Sequence, residues 1–261
     1  MTFRYYPGCT LKTKARALDE TARRCAATLG AELVEPADWQ CCGAVYPMAK
    51  DEIAPKLSAI RALADAKAQG QELVTLCAAC HNVLKRVNLD MASDEHTRDA
   101  ANRYLQLPEA YSGETTVLHY LELLRDRIGW DAIREKVTHP LTGRKIGAYY
   151  GCLLLRPARE MQLDDAENPT IIEDFLRAIG AEPVVYAMRN ECCGAYVTME
   201  DRDAAKARVD AIMQNAVACG CEELVTACPL CLYNLKENGG ALPVSYFTEL
   251  LAQALGLEAA E

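Results

Sequence analysis

The sequence is short of positive charge: it has 28 Lys and Arg residues against 37 Asp and Glu residues, and a formal net charge of −9. Binding to nucleic acid or to an anionic membrane needs a concentrated basic surface, so neither is expected of this chain. No uncharged apolar run approaches the roughly 20 residues of a membrane-spanning helix. The first residues, MTFRYYPGCT, lack the basic segment and apolar stretch of a signal peptide. We therefore expect a cytoplasmic protein that meets a membrane only through partners.

Several familiar catalytic patterns are also missing. The sequence has no Gly-rich phosphate loop and no visible pairing of a nucleophile with a base. The segment Cys77-Ala78-Ala79-Cys80-His81 matches the attachment pattern of c-type haem, but the chain has no export signal and the second copy of this motif is followed by Leu232. The histidines are expected to be ordinary surface or core residues, because nothing ties them to a pattern: His81, His96, His119 and His139.

Cysteine is what the sequence has in excess, with 13 residues. An odd number cannot all pair, and disulfides are rare in a reducing cytoplasm. Cys25, Cys219 and Cys221 are expected to be small buried apolar residues. The other ten cysteines follow a pattern that burial alone does not explain.

The ten cysteines belong to an internal repeat. The first half contains YYPGC ending at Cys9, CCGA beginning at Cys41 and CAAC from Cys77 to Cys80, and the second contains YYGC ending at Cys152, CCGA beginning at Cys192 and CPLC from Cys228 to Cys231. Matched cysteines are offset by 151 residues, except Cys9 and Cys152, which are offset by 143, so the second half has eight extra residues before its paired cysteines. We infer a duplicated unit with a join near residues 138–144. The predicted domains are residues 1–139, which include a linker helix at about Met91–Pro108 that the second half lacks, and residues 140–261.

Each half alternates short strands with helical patterns. This predicts βαβ units and an α/β fold of two tandem, pseudo-symmetric half-domains, each a small, largely parallel sheet flanked by helices. The predicted strands are Thr2–Tyr6, Glu32–Glu35, Glu72–Leu76, Val117–Tyr120, Lys145–Tyr150, Pro183–Ala187, Glu223–Ala227 and Val244–Tyr246. The predicted helices are about Lys14–Leu29, Glu52–Gln69, Pro169–Ile179, Asp203–Cys219 and Phe247–Leu255. Four cysteines directly follow strands and are expected at one rim of the sheets, where functional groups gather: Cys9, Cys77, Cys152 and Cys228.

Five cysteines per half exceed the four ligands of a structural zinc ion or a cubane [4Fe–4S] cluster. The side chains of adjacent cysteines such as Cys41 and Cys42 diverge, so they are expected to contact different irons or to bridge. The surplus ligand favours a cluster of unusual shape, and Gly43 and Gly194 would let a cluster lie against the backbone. Structural zinc stays open as the alternative, whereas a thioredoxin-like CxxC would leave the paired cysteines and the duplication unexplained.

The full pattern resembles the duplicated CCG domain, and most closely that of the B subunit of heterodisulfide reductase and its Hdr-like relatives. The two tyrosine-rich openings, Leu155-Arg156-Pro157, Asn168-Pro169 and the closing Cys-Pro-x-Cys carry the likeness, which covers nearly the whole chain. The resemblance implies two noncubane [4Fe–4S] clusters, one bound by Cys9, Cys41, Cys42, Cys77 and Cys80, and the other by Cys152, Cys192, Cys193, Cys228 and Cys231. It also implies a complex in which a flavoprotein subunit supplies electrons and a ferredoxin-like subunit with cubane clusters delivers them.

On this basis we expect an iron–sulfur subunit that reduces a disulfide, or oxidises thiols, in one-electron steps, with no catalytic group beyond the cluster irons. Lys12, Lys50 and Arg156 are candidates for positioning an acidic substrate, although a solvated basic residue is the simpler interpretation of each. Two alternatives stay open. One is an electron-transfer subunit that relays electrons to a partner or a quinone, as in CCG proteins of lactate, glycolate or succinate oxidation. The other is a zinc-stabilised interaction module.

Overall fold

A computed structural model describes residues 1–44 and 53–257 of the chain, and each half contains one sheet of four parallel strands. The first sheet contains β1 (Thr2–Tyr6), β2 (Glu32–Val34), β3 (Leu73–Thr75) and β4 (Val117–His119), in the order β2-β1-β3-β4. The second contains β5 (Lys145–Tyr149), β6 (Glu182–Val184), β7 (Glu223–Thr226) and β8 (Val244–Tyr246), in the order β6-β5-β7-β8. The α/β architecture with two similar halves, predicted from the sequence, is confirmed.

Most strands end slightly earlier than predicted, because the next residue already turns out of the sheet. Tyr120, for example, begins a helix, and His119 caps it: the His119 Nδ1 accepts a hydrogen bond from the N–H of Leu121 at 3.2 Å. The Glu122 carboxylate in turn accepts from the His119 N–H at 2.7 Å. The carboxyl ends of the strands are therefore fixed by capping side chains.

The helices of the first half are α1 (Gly8–Lys12), α2 (Arg16–Thr28), α3 (Leu57–Ala68), α4 (Ala78–Ser93), α5 (Glu95–Leu105), α6 (Tyr120–Glu122) and α7 (Trp130–Lys136), with a π-helical stretch at Leu123–Ile128. Those of the second half are α8 (Ala158–Met161), α9 (Ile171–Ala178), α10 (Arg202–Ala218), α11 (Pro229–Asn238) and α12 (Phe247–Ala254). The predicted helix at Lys14–Leu29 is present as α2, which starts only at Arg16 because Ala15 has a non-helical backbone (φ −127°, ψ 42°), and the short α1 before it was not predicted.

Helices α4 and α11 were not predicted from the sequence. Each begins directly after the first cysteine of a CxxC motif, and that cysteine is extended: Cys77 has φ −94° and ψ 121°, and Cys228 has φ −125° and ψ 117°. The second cysteine of each motif then lies in the first helical turn. The CxxC motif is thus also the start of a helix, which the spacing of the cysteines alone did not reveal.

The predicted linker helix at Met91–Pro108 is present as the end of α4 and the whole of α5. The break falls at Asp94, whose carboxylate accepts hydrogen bonds from the N–H of His96 at 3.0 Å and from the Thr97 hydroxyl at 2.5 Å. In the second half α11 ends at Asn238 and β8 starts at Val244, so this helix has no counterpart there.

The two halves exchange helices. The helix that follows the last strand of the second half, α12, packs on α2 of the first half, and α7 of the first half packs on α9 of the second. Phe247 lies at the centre of this junction, with its ring 5.7 Å from that of Tyr120 and 5.9 Å from that of Phe175. The division at residues 139 and 140 stays a prediction.

The cysteines outside the repeat do not all behave as predicted. Cys25 is fully buried between α2 and α12, and its thiol donates to the carbonyl of Thr248 at 3.7 Å. Cys221 is also buried, but Cys219 is exposed at the end of α10, so its assignment as a buried apolar residue is wrong. Among the residues described, no helix is both long and apolar enough to cross a membrane.

Candidate functional site

The chain topology brings the cysteines to the carboxyl ends of the central strands. Cys9 and Cys77 follow β1 and β3, which are neighbours in the first sheet, and Cys152 and Cys228 follow β5 and β7, which are neighbours in the second. The predicted position of these four residues is confirmed, since parallel neighbours place the side chains that follow them at one edge.

The first site gathers five thiols in two layers. The Sγ of Cys41 lies 3.5 Å from that of Cys9, and both residues are exposed. The Sγ of Cys42 lies 3.5 Å from that of Cys80, and both are buried. The adjacent cysteines therefore point to different sides of the site, as their divergence predicted, and Cys77 completes the buried layer.

The second site repeats this arrangement. The Sγ of Cys193 lies 3.5 Å from that of Cys231, and both are buried, as is Cys228. Cys192 is exposed, accepts from the N–H of Gly194 at 3.4 Å, and contacts the half-buried Cys152. Each site thus has a buried floor and an accessible edge.

One buried thiol in each site, the second cysteine of the CxxC motif, has little freedom to ionise. Contact with Cys42 and Cys77, together with burial, raises the pKa of Cys80 well above its ordinary value. Contact with Cys193 and Cys228, together with burial, raises the pKa of Cys231 in the same way. Five thiols at this spacing become thiolates together only when bound positive charge compensates them.

Two glycines that were not singled out from the sequence lie against buried sulfurs of the sites. A Cβ on Gly8 would lie 2.6 Å from the Sγ of Cys80, and one on Gly151 would lie 3.1 Å from the Sγ of Cys231. A Cβ on Gly194 would make only ordinary contacts with Ala205, and this glycine is needed instead for its positive φ of 79°. That a cluster lies against the backbone of Gly43 and Gly194 stays a prediction.

The tyrosines of the two opening motifs hold the paired cysteines in place. The Tyr149 hydroxyl donates to the carbonyl of Glu191, directly before Cys192, at 2.7 Å. Tyr6 makes the matching hydrogen bond to the carbonyl of Gln40, directly before Cys41. The repeat carries this signal, since each tyrosine stands three residues before the first cysteine of its half.

The two sites adjoin each other. The backbone N–H of Ala79, inside the first CxxC motif, is near enough to the Cys228 thiol of the second to help lower its pKa. The Tyr246 hydroxyl lies 2.6 Å from the carbonyl oxygen of Leu76 and 3.0 Å from that of Ala227, the residues directly before the two CxxC motifs. One side chain thus links the floors of both sites.

Tyr196 lies between the two sites and was not singled out from the sequence. It follows the second CCGA motif and is 45% exposed. Burial raises the pKa of its hydroxyl, and so do nearby thiols that come from both sites: Cys228, Cys77, Cys152 and Cys42. In the sequence, its position directly after CCGA is the one feature that could have pointed to Tyr196.

Two histidines, expected to be ordinary, are buried behind the sites. The His119 Nε2 lies 3.1 Å from the carbonyl oxygen of Leu76, and burial lowers the pKa of this imidazole to about 3. The His81 ring lies edge-on to it at 5.5 Å, with its Nε2 3.4 Å from a carboxylate oxygen of Glu122. His96 and His139 are exposed, so all four fit the expectation of surface or core residues.

Two candidate basic residues are engaged in ion pairs: Lys12 with Glu35 at 3.0 Å and Arg156 with Glu167 at 3.0 Å. Lys50 lies outside the described residues. Among those described, no group of three or more His, Cys, Asp or Glu side chains is placed to hold a single metal ion.

A family model for a cysteine-rich domain, named CCG, matches residues 3–85 and 146–236. The 8-methylmenaquinol:fumarate reductase membrane anchor subunit of Wolinella succinogenes is 28% identical over 270 residues, which cover 99% of this chain and 94% of that protein. The B subunit of the ferredoxin/F420H2-dependent CoB–CoM heterodisulfide reductase of Methanosarcina acetivorans is 26% identical, over 96% of this chain and 88% of that protein.

A solved structure has the same fold. A hypothetical protein from Helicobacter pylori superposes with a TM-score of 0.76 over 98% of this chain, at 11% sequence identity. This chain spans about half of that protein's length, since it covers 49% of it. The likeness concerns the arrangement of the chain alone.

Proposed function

Because this chain belongs to the CCG cysteine-rich domain family, we propose that it is an iron–sulfur subunit of an oxidoreductase that reduces a disulfide, or oxidises two thiols, in one-electron steps. The observation that carries the proposal is that two equivalent five-cysteine sites adjoin each other, with the Tyr246 hydroxyl 2.6 Å from the carbonyl oxygen before the first CxxC motif and 3.0 Å from that before the second. A disulfide has two sulfur atoms and takes up two electrons, and two adjoining sites match that requirement.

The cysteines fit a pair of iron–sulfur clusters. Thiolate is the soft ligand that such clusters use, and the closely spaced thiols need bound positive charge to ionise together. A noncubane [4Fe–4S] form is favoured because each site offers a fifth thiol and because the paired cysteines turn to different sides. The proposed ligands are Cys9, Cys41, Cys42, Cys77 and Cys80 in the first site, and Cys152, Cys192, Cys193, Cys228 and Cys231 in the second.

Reduction breaks the S–S bond of the substrate, consumes two electrons and two protons, and releases two thiols. When bound, the clusters supply these electrons, one from each site. The exposed Cys9, Cys41 and Cys192 mark the edge at which substrate arrives, whereas the buried cysteines anchor the floor. The Tyr196 hydroxyl, half-exposed between the sites, can donate a hydrogen bond to a substrate sulfur, and water at the open edge supplies protons.

A second function is favoured by the similarity to the fumarate reductase subunit of W. succinogenes. In this alternative the chain has no substrate of its own and relays electrons to a partner subunit or to a quinone. The same ten cysteines hold the clusters, and a free thiol or disulfide has no effect on them.

We also propose a location, partner subunits, domain bounds and a substrate class for this chain. We infer a cytoplasmic complex in which a ferredoxin-like subunit with cubane clusters delivers electrons from a flavoprotein subunit. The two cluster-binding domains are residues 1–139 and 140–261. The substrate is a small-molecule or protein disulfide.

The decisive experiment measures iron and acid-labile sulfide in protein purified without oxygen. We expect about eight irons per chain, and about four in Cys80→Ser and in Cys231→Ser, since each variant loses one site. Cys219→Ser removes an exposed cysteine outside the repeat and is the matched control, with full iron expected. Zinc with little sulfide would overturn the proposal.

Substrate contact is tested by electron paramagnetic resonance of the oxidised protein before and after addition of a thiol. A signal that changes with thiol supports disulfide chemistry at the sites. Iron in full amount with a signal that no thiol changes would instead establish the electron relay.

A further inference from the structure

Helices α4 and α11, which start at the two CxxC motifs, occupy equivalent positions in the two halves. Their outer faces differ in how far the rest of the chain buries them. Asn82 on α4 corresponds to Tyr233 on α11, and Lys85 corresponds to Lys236, with the same offset of 151 residues as the cysteines. Asn82 is buried, whereas Tyr233 is 59% exposed. The pseudo-symmetry of the fold is therefore broken on this face.

In the first half, the face of α4 is covered by the segment 153–162 of the second half. The Asn82 Nδ2 donates to the carbonyl of Leu153 at 2.9 Å and to that of Arg156 at 2.7 Å. The Lys85 ammonium donates to the carbonyl of Met161, at the end of α8. This face of α4 therefore binds a short apolar turn through the free backbone carbonyls of that turn.

In the second half, no matching segment reaches α11 among the described residues. The segment after Cys9 is short, because α2 already begins at Arg16, whereas α9 begins only at Ile171. A groove of about 620 Å³ is therefore left between the segment that follows Cys9 and helix α11. Its lining includes Thr10, Lys14, Leu18, Leu230, Tyr233 and Lys236. We call it the α11 groove.

We propose that the α11 groove docks an apolar turn of the protein that exchanges electrons with the two cysteine sites. The floor is apolar, through Leu18 and Leu230, and Lys236 occupies the position from which Lys85 binds a carbonyl. The groove is lined by two lysines, Lys14 and Lys236, and by one acidic residue, Glu237. It is therefore locally positive, although the chain as a whole has a net charge of −9. The groove therefore fits a segment that ends in free carbonyls or an acidic side chain.

The position of the groove identifies the occupant as the electron-exchanging partner. Thr10 is adjacent to Cys9 of the first site, and Leu230 lies between Cys228 and Cys231 of the second. A segment bound there contacts the backbone next to both sites. A second copy of this chain could offer its own covering segment only by withdrawing it from Asn82 and Lys85.

The identity of the partner rests on the proposed function, whereas the docking surface does not. The test uses the full chain with its clusters, the variant Tyr233→Glu, and Tyr104→Glu as control, since Tyr104 is a 71% exposed tyrosine on a different helix, α5. The probe is a ferredoxin-like iron–sulfur subunit produced together with this chain, and its affinity is measured by anaerobic biolayer interferometry.

We expect Tyr233→Glu to weaken binding at least tenfold, because a charge replaces an aromatic anchor, and Tyr104→Glu to bind as the unmodified chain does. Lys236→Glu should weaken binding as well. Unchanged affinity in Tyr233→Glu would overturn the proposal, and so would a self-association in ultracentrifugation that only Tyr233→Glu abolishes, since that assigns the groove to a second copy. Iron content and the thiol response of each variant are measured alongside, so that a failure of the proposed function is recognised separately.

Discussion

Two glycines determine how closely the backbone approaches the inner cysteine of each site. Gly8 and Gly151 both have a positive φ, and a side chain on either would press on a buried sulfur. The contact is closer at Gly8, with 2.6 Å to the Sγ of Cys80. The first site is therefore the more sensitive of the two to a change at this position.

We expect Gly8→Ala to lower both stability and iron content. Gly30 has a similar φ of 80° and open space around it, so Gly30→Ala carries the same backbone strain without the clash. The difference between the two variants should be about 1–3 kcal/mol in the free energy of unfolding, measured by denaturant titration. Equal stabilities and full iron in both would show that the site tolerates a Cβ at Gly8.

The positions of single residues could be predicted from the sequence where the residue occurs in both copies of the internal repeat. The ten cysteines come together as their spacing indicated, and the divergence of Cys41 from Cys42 is confirmed. Tyr196 and Tyr246 escaped prediction because their importance comes from the junction of the halves, which no local pattern encodes. The contact of a cluster with Gly43 and Gly194 stays a prediction, whereas the close approach of Gly8 and Gly151 to sulfur was missed, since the sequence does not tell which backbone passes beneath a sulfur.

Helices α4 and α11 show how one motif leads to two environments. Both begin at a CxxC motif, yet only α4 carries a covering segment, held by Asn82. The sequence contained the cause, the eight extra residues of the second half, but not where those residues pack. The strands and the longer helices α2, α3, α5, α9, α10 and α12 followed from alternation and periodicity, whereas α4 and α11, which begin at the cysteine motifs, were missed.

Asn82→Ala should uncouple the covering segment from α4. Two carbonyls, those of Leu153 and Arg156, lose their donor, which costs about 1–3 kcal/mol when the groups stay buried. Tyr233→Ala at the equivalent exposed position of α11 should change the free energy of unfolding by less than about 0.5 kcal/mol. Thermal or urea unfolding of both variants measures the difference, and an Asn82→Ala as stable as Tyr233→Ala would contradict the assigned role.

Across the full chain, the halves are joined by Tyr246 and by the exchange of helices. The Tyr246 hydroxyl is shared by the carbonyls of Leu76 and Ala227, one from each half. This single group therefore helps to fix the distance between the two cysteine sites. Because α12 packs on α2 and α7 packs on α9, the two halves are not independent packing units, wherever the join in the sequence lies.

Tyr246→Phe removes this shared donor while keeping the aromatic packing. We expect a loss of about 1–3 kcal/mol in the free energy of unfolding, whereas Tyr104→Phe, on an exposed residue, should have no measurable effect. Calorimetry should show a single transition that shifts to lower temperature in Tyr246→Phe only. A stability equal to that of the unmodified chain would mean that the two carbonyls find other donors.

The packing of α12 on α2 also sets an order of events during synthesis. The apolar face of α2, with Leu18, Ala22 and Cys25, leaves the ribosome early, but the helix that covers it is made from residues 247–254. At ribosomal rates of about 5–20 residues per second, this face waits on the order of ten seconds or longer for its cover. A nascent chain that stalls before Phe247 thus leaves this apolar face exposed and is a substrate for chaperones.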